Sequence, residues 1–533
     1  MFIRWVKVAV LVSLMAAPVA GVAANSLQVK TDKGKVEGAL TADRKVRGFK
    51  GIPFAAPPLG DLRWREPQPM AKWKGVRQAK EFGSHCMQSA TYQDMIFHDS
   101  GASEDCLTLN VWTPVDAKPG TLPVMVWIYG GGFVAGGTSE ARQDGQFLAH
   151  RNVVIVSMNY RLGVFGFLAH PELTAESPHH ASGNYGLMDQ AAAIAWVKKN
   201  IREFGGDPKN ITIFGESAGS ISVSAQMASP LTKDLIAKSI GESGGALVQA
   251  GASTPTRESA EKADAAFGES VLHETTVAGL RKIPAEDLLK AVANRENHAP
   301  RFWPVVDGYF LPDSVAKIYA AGKQAHIPLM AGWNADEARA AVLMAKEKPT
   351  MASFSEQARK EFGADADGFM AAYKASSDEE VQRVAGDFAG DRFIAYGTWR
   401  WLEAQVGTGG HSVYRYLLDL PSPGDKFHTV AMGAFHSDDI EYVFGTLDSR
   451  QEAVWRPEDR KLSDQMGQYW TNFARTGDPN GGDLPKWPSY SATDGWQVMH
   501  LNADSAAKPD GYRERYVFLD SVWGKPKPAA AGQ

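Results

Sequence analysis

Only two cysteines, Cys86 and Cys106, occur in a chain of 533 residues. That scarcity excludes zinc ribbons, iron–sulfur clusters and disulfide-dense scaffolds, and it leaves room for one disulfide. An excess of positive charge is also missing. Lys and Arg number 56 against 61 Asp and Glu, a formal net charge of −5. No basic stripe stands out, so a nucleic-acid partner is not expected. No His-x-x-x-His pair or acidic cluster suggests a metal. Long apolar runs are absent after the N-terminus, so no later segment is expected to cross a bilayer.

The N-terminus is different. Arg4 and Lys7 precede an apolar stretch from Val8 to Val22, and small residues follow up to Asn25. This is the pattern of a secretory signal peptide, with cleavage expected near Ala24. No cysteine follows it to receive a lipid. The expectation is a secreted or periplasmic protein with no stable membrane anchor after cleavage, in surroundings that allow a disulfide.

Hydrophobic residues make up 44% of the chain and charged residues 22%, a globular balance that argues against extensive disorder. No internal repeat or long linker is visible, so residues 25–533 are expected to form one large domain with insertions. Dense apolar runs at residues 123–128, 153–158, 211–214, 329–333 and 413–417 suit strands covered on both faces. Residues 45–52 and 107–113 also read as strands. Residues 187–204, 218–227, 353–385 and 463–475 read as helices. This alternation predicts an α/β fold with a large, mostly parallel sheet and helices on both faces.

Gly215-Glu-Ser-Ala-Gly219 follows the Ile211–Phe214 run and precedes a helix-competent stretch. A nucleophilic serine at such a place needs a sharp turn with small residues two before and two after it. Ser217 is therefore the candidate nucleophile. Gly241-Glu-Ser-Gly-Gly245 matches the same pattern, but its two final glycines are poor helix starters. Ser243 reads as a turn serine, or as a hydrogen-bond support for the site. Tyr129-Gly-Gly-Gly-Phe133 leaves the 123–128 strand, and its glycines let backbone N–H groups face a cavity. Gly131, Gly132 and Ala218 are the candidate oxyanion donors.

These blocks resemble the type B carboxylesterase and cholinesterase family of α/β-hydrolases. The likeness extends through FKGIPFAAPPLGDLRW (49–64), EDCLTLNVWTP (104–114), NYRLGVFGFL (159–168), FGGDPKNITIFGESAG (204–219), FWPVVDG (302–308) and FARTGDPN (473–480). It implies an α/β-hydrolase fold with family insertions and a serine carboxylesterase working through an acyl-enzyme on Ser217. Glu337, in GWNADEA (332–338), is the implied acid, with Asp336 as its rival. His436, in GAFHSDDIEYVFG (433–445), is the implied base. No cofactor is implied, and the partner is a small-molecule ester. Ala338 and Asp439 depart from the usual glycine and glutamate. The resemblance also implies a Cys86–Cys106 disulfide closing a loop over the site. That loop has no Trp for a quaternary ammonium, which argues against choline esters. By position, Phe133, Phe302 and Trp303 are implied pocket walls. Arg301 and Arg339 suggest an acidic acyl group, such as a polycarboxylate ester. The competing readings are a same-fold hydrolase of an amide or carbonate, and a non-catalytic binding protein.

Overall fold

A computed structural model describes residues 27–247 and 254–524. The expected signal peptide, residues 1–24, lies outside the described residues. Among those described, no helix is long and apolar enough to cross a membrane.

The dense apolar runs supply several strands of one sheet. In chain order its strands are β1 (Ala39–Leu40), β2 (Val46–Pro53), β3 (Thr108–Pro114), β4 (Leu122–Ile128), β5 (Val154–Met158), β6 (Gly206–Glu216), β7 (Lys238–Glu242), β8 (Leu329–Asn334), β9 (Val413–Leu418), β10 (Gln497–Leu501) and β11 (Ala506–Pro509). Among the described residues they make an eleven-stranded sheet in the order β11-β10-β9-β8-β7-β6-β4-β5-β3-β2-β1. The strands from β10 through to β5 are parallel, and both margins are antiparallel. Every residue of β5, β7, β8 and β9 is buried. Sequences with no polar alternation, such as Val154-Ile-Val-Ser-Met158, are stable in a sheet only when both faces are covered. The helices Tyr185–Asn200, Ala218–Ala228 and Pro457–Thr476 pack on this sheet. A three-stranded sheet of Gln28–Lys30, Lys35–Glu37 and Val76–Gln78 stands apart from it.

Two features add to the sequence reading. Strand β7 has the sequence KSIGE and no apolar run, yet it sits in the middle of the sheet. Its small residues accommodate neighbours: a Cβ on Gly241 would come within 2.2 Å of the Trp401 ring. Residues 353–385 do not form one helical stretch. They divide among Met351–Phe362, Ala366–Ala372 and Asp378–Gly390. The first break is at Gly363, which takes φ +55, and the last helix restarts where the Ser377 side chain caps the Glu380 N–H.

The register of the middle strands matters for the site. Gly215 pairs with Gly241, and Glu216 with Glu242. Glu242 pairs in turn with Gly332 on β8. The carboxyl ends of β6, β7 and β8 thus end side by side, which is where open parallel sheets place their ligands.

Candidate active site

Ser217 follows β6 directly and has φ +55 and ψ −120. A non-glycine residue seldom adopts that conformation, and it stores strain. The flanking glycines show why the turn is possible. A Cβ on Gly219 would lie 1.9 Å from the Ile128 carbonyl oxygen, and one on Gly215 would lie 2.5 Å from the same atom. Only glycine at both positions lets the helix Ala218–Ala228 start against the end of β4. The Ser217 N–H donates to the Glu242 carbonyl at 2.8 Å, fixing the turn to β7.

His436 reaches this serine from a loop after β9. Its Nε2 lies 2.9 Å from Ser217 Oγ, and its Nδ1 lies 2.5 Å from Glu337 Oε2. The other Glu337 oxygen accepts from the Asn334 N–H at 2.8 Å and from the Ser243 hydroxyl at 2.5 Å. Sequence reasoning left Ser243 open between a plain turn and a supporting hydrogen bond, and the hydrogen bond is made. Asp336 faces away from the imidazole. It accepts from the Ala434 N–H at 3.0 Å and from Arg339 at 2.9 Å. Asp336 therefore tethers the segment that carries His436. Ala338 has φ −133, a conformation open to any residue, so no glycine is required there.

Two further carboxylates, Glu216 and Asp439, act on the imidazole, and Glu242 lies near both of them. Glu216 Oε1 lies 3.3 Å from His436 Nε2. Burial pushes the Glu216 carboxyl up to about 8, against the pull of His436. Burial opposes a charged imidazole at His436. Glu216 and then Glu337 outweigh it and hold the group up at about 9. Asp439, pushed up to about 6 by burial and then by Glu337, accepts from the Tyr416 hydroxyl at 2.9 Å. Glu242 is fully buried, accepts from Trp470 Nε1 at 2.7 Å, and is raised well above the ordinary carboxylate range by burial. The sequence offered one signal for the Glu216 contact, its place beside the candidate nucleophile. It offered none for Asn334.

The glycine turn lies against Ser217. A Cβ on Gly130 would lie 2.9 Å from Ser217 Cβ. Gly131 and Gly132 have φ +98 and +64, and the Gly131 carbonyl accepts from the N–H groups of Val134 and Ala135 at 3.1 Å. Ala218 opens its helix, so its N–H has no acceptor one turn earlier in that helix. Cys86 and Cys106 form a disulfide. The loop it closes reaches the turn: a Cβ on Gly131 would meet Met95 Cε at 3.1 Å, and one on Gly132 would meet the Tyr92 hydroxyl at 3.4 Å.

Of the expected wall residues, Phe133 is buried and contacts Trp303 edge-on at 4.8 Å. Phe302 points to another neighbour, Phe267, at 6.1 Å. The exposed Phe393 ring, unforeseen in the sequence, stands 4.9 Å from the His436 ring. No group of three or more His, Cys, Asp or Glu side chains suited to a metal occurs among the described residues.

Known proteins resemble this chain over most of its length. A fumonisin B1 esterase from Sphingopyxis macrogoltabida is 36% identical over 469 residues, covering 86% of this chain and 84% of its own length. The para-nitrobenzyl esterase of Bacillus subtilis is 35% identical, covering 87% of this chain and 92% of its own. A solved PNB esterase structure superimposes with a TM-score of 0.78 at 33% identity, covering 93% of this chain and 99% of the other. The fold is that of an α/β-hydrolase. The family described as the Carboxylesterase family matches residues 25–519, and the chain belongs to that family.

Proposed function

We propose that the protein is an exported serine carboxylesterase that hydrolyses small-molecule esters through an acyl-enzyme on Ser217. The observation that carries this reading is the unbroken hydrogen-bond chain from Ser217 Oγ through His436 to Glu337. Neutral His436 takes the hydroxyl proton as Oγ attacks the acyl carbonyl. Glu337, held by Asn334 and Ser243, orients the ring and stabilises the imidazolium. The N–H groups of Gly131, Gly132 and Ala218 receive the negative charge that develops on the carbonyl oxygen, where each donor contributes about 10²- to 10³-fold in rate. His436 returns the proton to the leaving alcohol, then activates the water that releases the acid. The Cys86–Cys106 disulfide supports export, because such bonds persist in oxidising compartments.

The test is a panel of p-nitrophenyl esters of graded acyl length, with a serine-reactive phosphonate as an independent probe. The reading expects turnover by the mature protein and a phosphonate adduct mapped by mass spectrometry to Ser217. A folded protein that hydrolyses none of the esters and takes no label would overturn it in favour of a binding role.

A further inference from the structure

We propose that the three-stranded sheet of Gln28–Lys30, Lys35–Glu37 and Val76–Gln78 carries a basic face that docks the protein on an anionic lipid surface, with the Ser217 end of the main sheet held away from the lipid. This adds a place of action to the ester-hydrolase reading and does not depend on it.

The cations come together only in the fold. Residues 28–37 and 71–80 hold seven Lys and Arg against two Asp and Glu, a net charge of +5 within a chain of −5. The two segments lie far apart in sequence, and Trp73 joins them. Its backbone N–H donates to the Lys33 carbonyl at 2.9 Å, and its Nε1 donates to the Lys35 carbonyl at 2.9 Å. Lys72 and Lys74 are thereby set beside the turn that carries Lys33 and Lys35. The Arg77 guanidinium lies 5.9 Å from the Trp73 ring. Val29 and Val36 are buried and face inward. Lys30 and Lys35, each one residue further along its strand, therefore face outward, and they pair directly across the antiparallel strands. Val76, 37% exposed, is the next partner in that row.

The protein does not neutralise this face itself. Asp32 is taken by Lys199 at 2.9 Å and Lys33 at 3.7 Å, and Glu37 by Lys80 at 2.8 Å. Lys30, Lys35, Lys72, Lys74 and Arg77 are exposed, and none of them makes an ion pair among the described residues. Like charges directly opposite across two strands destabilise the pairing, and a negative surface over the Lys30–Lys35 row relieves that cost. The chemistry of the cations favours lipid. Six of the seven are lysines, point charges without the fixed fork of arginine. Such charges suit the mobile phosphates of a bilayer, where each adds to the attraction. The Trp73 ring is packed against Gly34, where a Cβ would lie 2.4 Å from its Nε1, so it is no free platform for a nucleic-acid base. The strand Gln28–Lys30 contacts the short helix Ile201–Phe204, which leads into β6 at Gly206. Ser217 follows the other end of β6, roughly 30 Å away at the rise of a strand. Lipid bound at the basic face therefore leaves that end of the sheet open.

The experiment is co-sedimentation of the mature protein with vesicles of phosphatidylcholine, alone or with about one-third phosphatidylglycerol. The protein should partition onto the anionic vesicles, not onto the neutral ones, and added salt should release it. The triple variant Lys35→Gln/Lys72→Gln/Lys74→Gln should lower the partition about a hundredfold, about fivefold for each cation removed. Lys290→Gln/Lys317→Gln/Lys346→Gln changes the net charge equally at exposed sites elsewhere and should leave the partition nearly unchanged. Unchanged thermal midpoints show that both variants fold, whatever the outcome for ester hydrolysis. Turnover of a soluble p-nitrophenyl ester should be the same for free and vesicle-bound protein. Equal partition onto both vesicle types, no partition onto either, or equal losses from the two triple variants overturns the proposal and leaves ester hydrolysis intact. Binding to dextran sulfate without binding to vesicles overturns it in favour of a polysaccharide partner. Turnover lost on vesicle binding places the Ser217 end against the lipid and overturns the assignment of the docking face.

Discussion

Residues 215–219 and 241–245 begin with the same three letters, Gly-Glu-Ser, and sit in register on adjacent parallel strands. Both serines take positive φ, +55 at Ser217 and +53 at Ser243. Both turns also avoid side chains: a Cβ on Gly244 would lie 2.4 Å from the Ser217 carbonyl oxygen. They part after the serine. Ala218 starts an eleven-residue helix, which supplies N–H groups and leaves Ser217 Oγ beside His436. Gly244 and Gly245 start none, and Gly245 instead passes so near Gly397 that a Cβ would meet its carbonyl at 2.5 Å. Ser243 stays buried and donates to Glu337. The glutamates divide likewise. Glu216 faces the imidazole, and Glu242 faces the Trp470 indole. One local motif thus sets a hydroxyl beside His436 in one strand and clamps Glu337 from the next. The two residues after each serine decide between these roles.

Exchanging the roles of the two turns is the most direct way to break this comparison. Ser217→Ala should lower kcat by at least about 10⁴-fold and abolish phosphonate labelling. If Ser243→Ala did so instead, the assignment would be reversed. Gly219→Ala is the next largest, because its Cβ meets the rigid Ile128 carbonyl at 1.9 Å. A loss of about 3 kcal/mol should appear in chemical denaturation, and an unchanged midpoint would mean the helix does not need this close approach. Ser243→Ala should keep phosphonate labelling and lower kcat about 10- to 100-fold, the worth of one hydrogen bond to a charged group.

The smallest effect separates the glutamates. Carboxylates near His436 favour its protonated form, and the proposed reaction needs the neutral base. The kcat/KM profile should therefore rise with pH toward the region of about 9. Glu216→Gln removes the leading cause of that elevation, so the rise should move to lower pH. Glu242→Gln, whose carboxyl is turned to Trp470, should shift it less. Equal shifts from both variants would erase the distinction between the two turns.

Much of this site was legible because its steric demands leave marks on the sequence. Gly215 and Gly219 are fixed by contact with one carbonyl oxygen, and the Gly130–Gly132 run by contact with Ser217 and the disulfide-closed loop. Those positions read as glycine before any fold is known. Glu337 and His436 are fixed by tertiary placement, and no local pattern picks one histidine out of 13; they were reached only through resemblance. Asn334 and Glu216 act through contacts that the fold alone creates. Strand β7 escaped notice because a strand flanked on both sides can be built from Lys, Ser and Gly when neighbouring side chains fill the space. The strands Gln497–Leu501 and Ala506–Pro509 likewise lack the dense apolar runs that marked the rest.

The loop closed by Cys86 and Cys106 places Met95 and Tyr92 on the turn that would receive the oxyanion. Closing such a loop restricts the unfolded chain by about 3 kcal/mol, and the closed loop lies against Gly131 and Gly132. The order of that turn is thereby tied to the redox state of the surroundings. A copy held among reduced thiols would lose that tether between the loop and the turn.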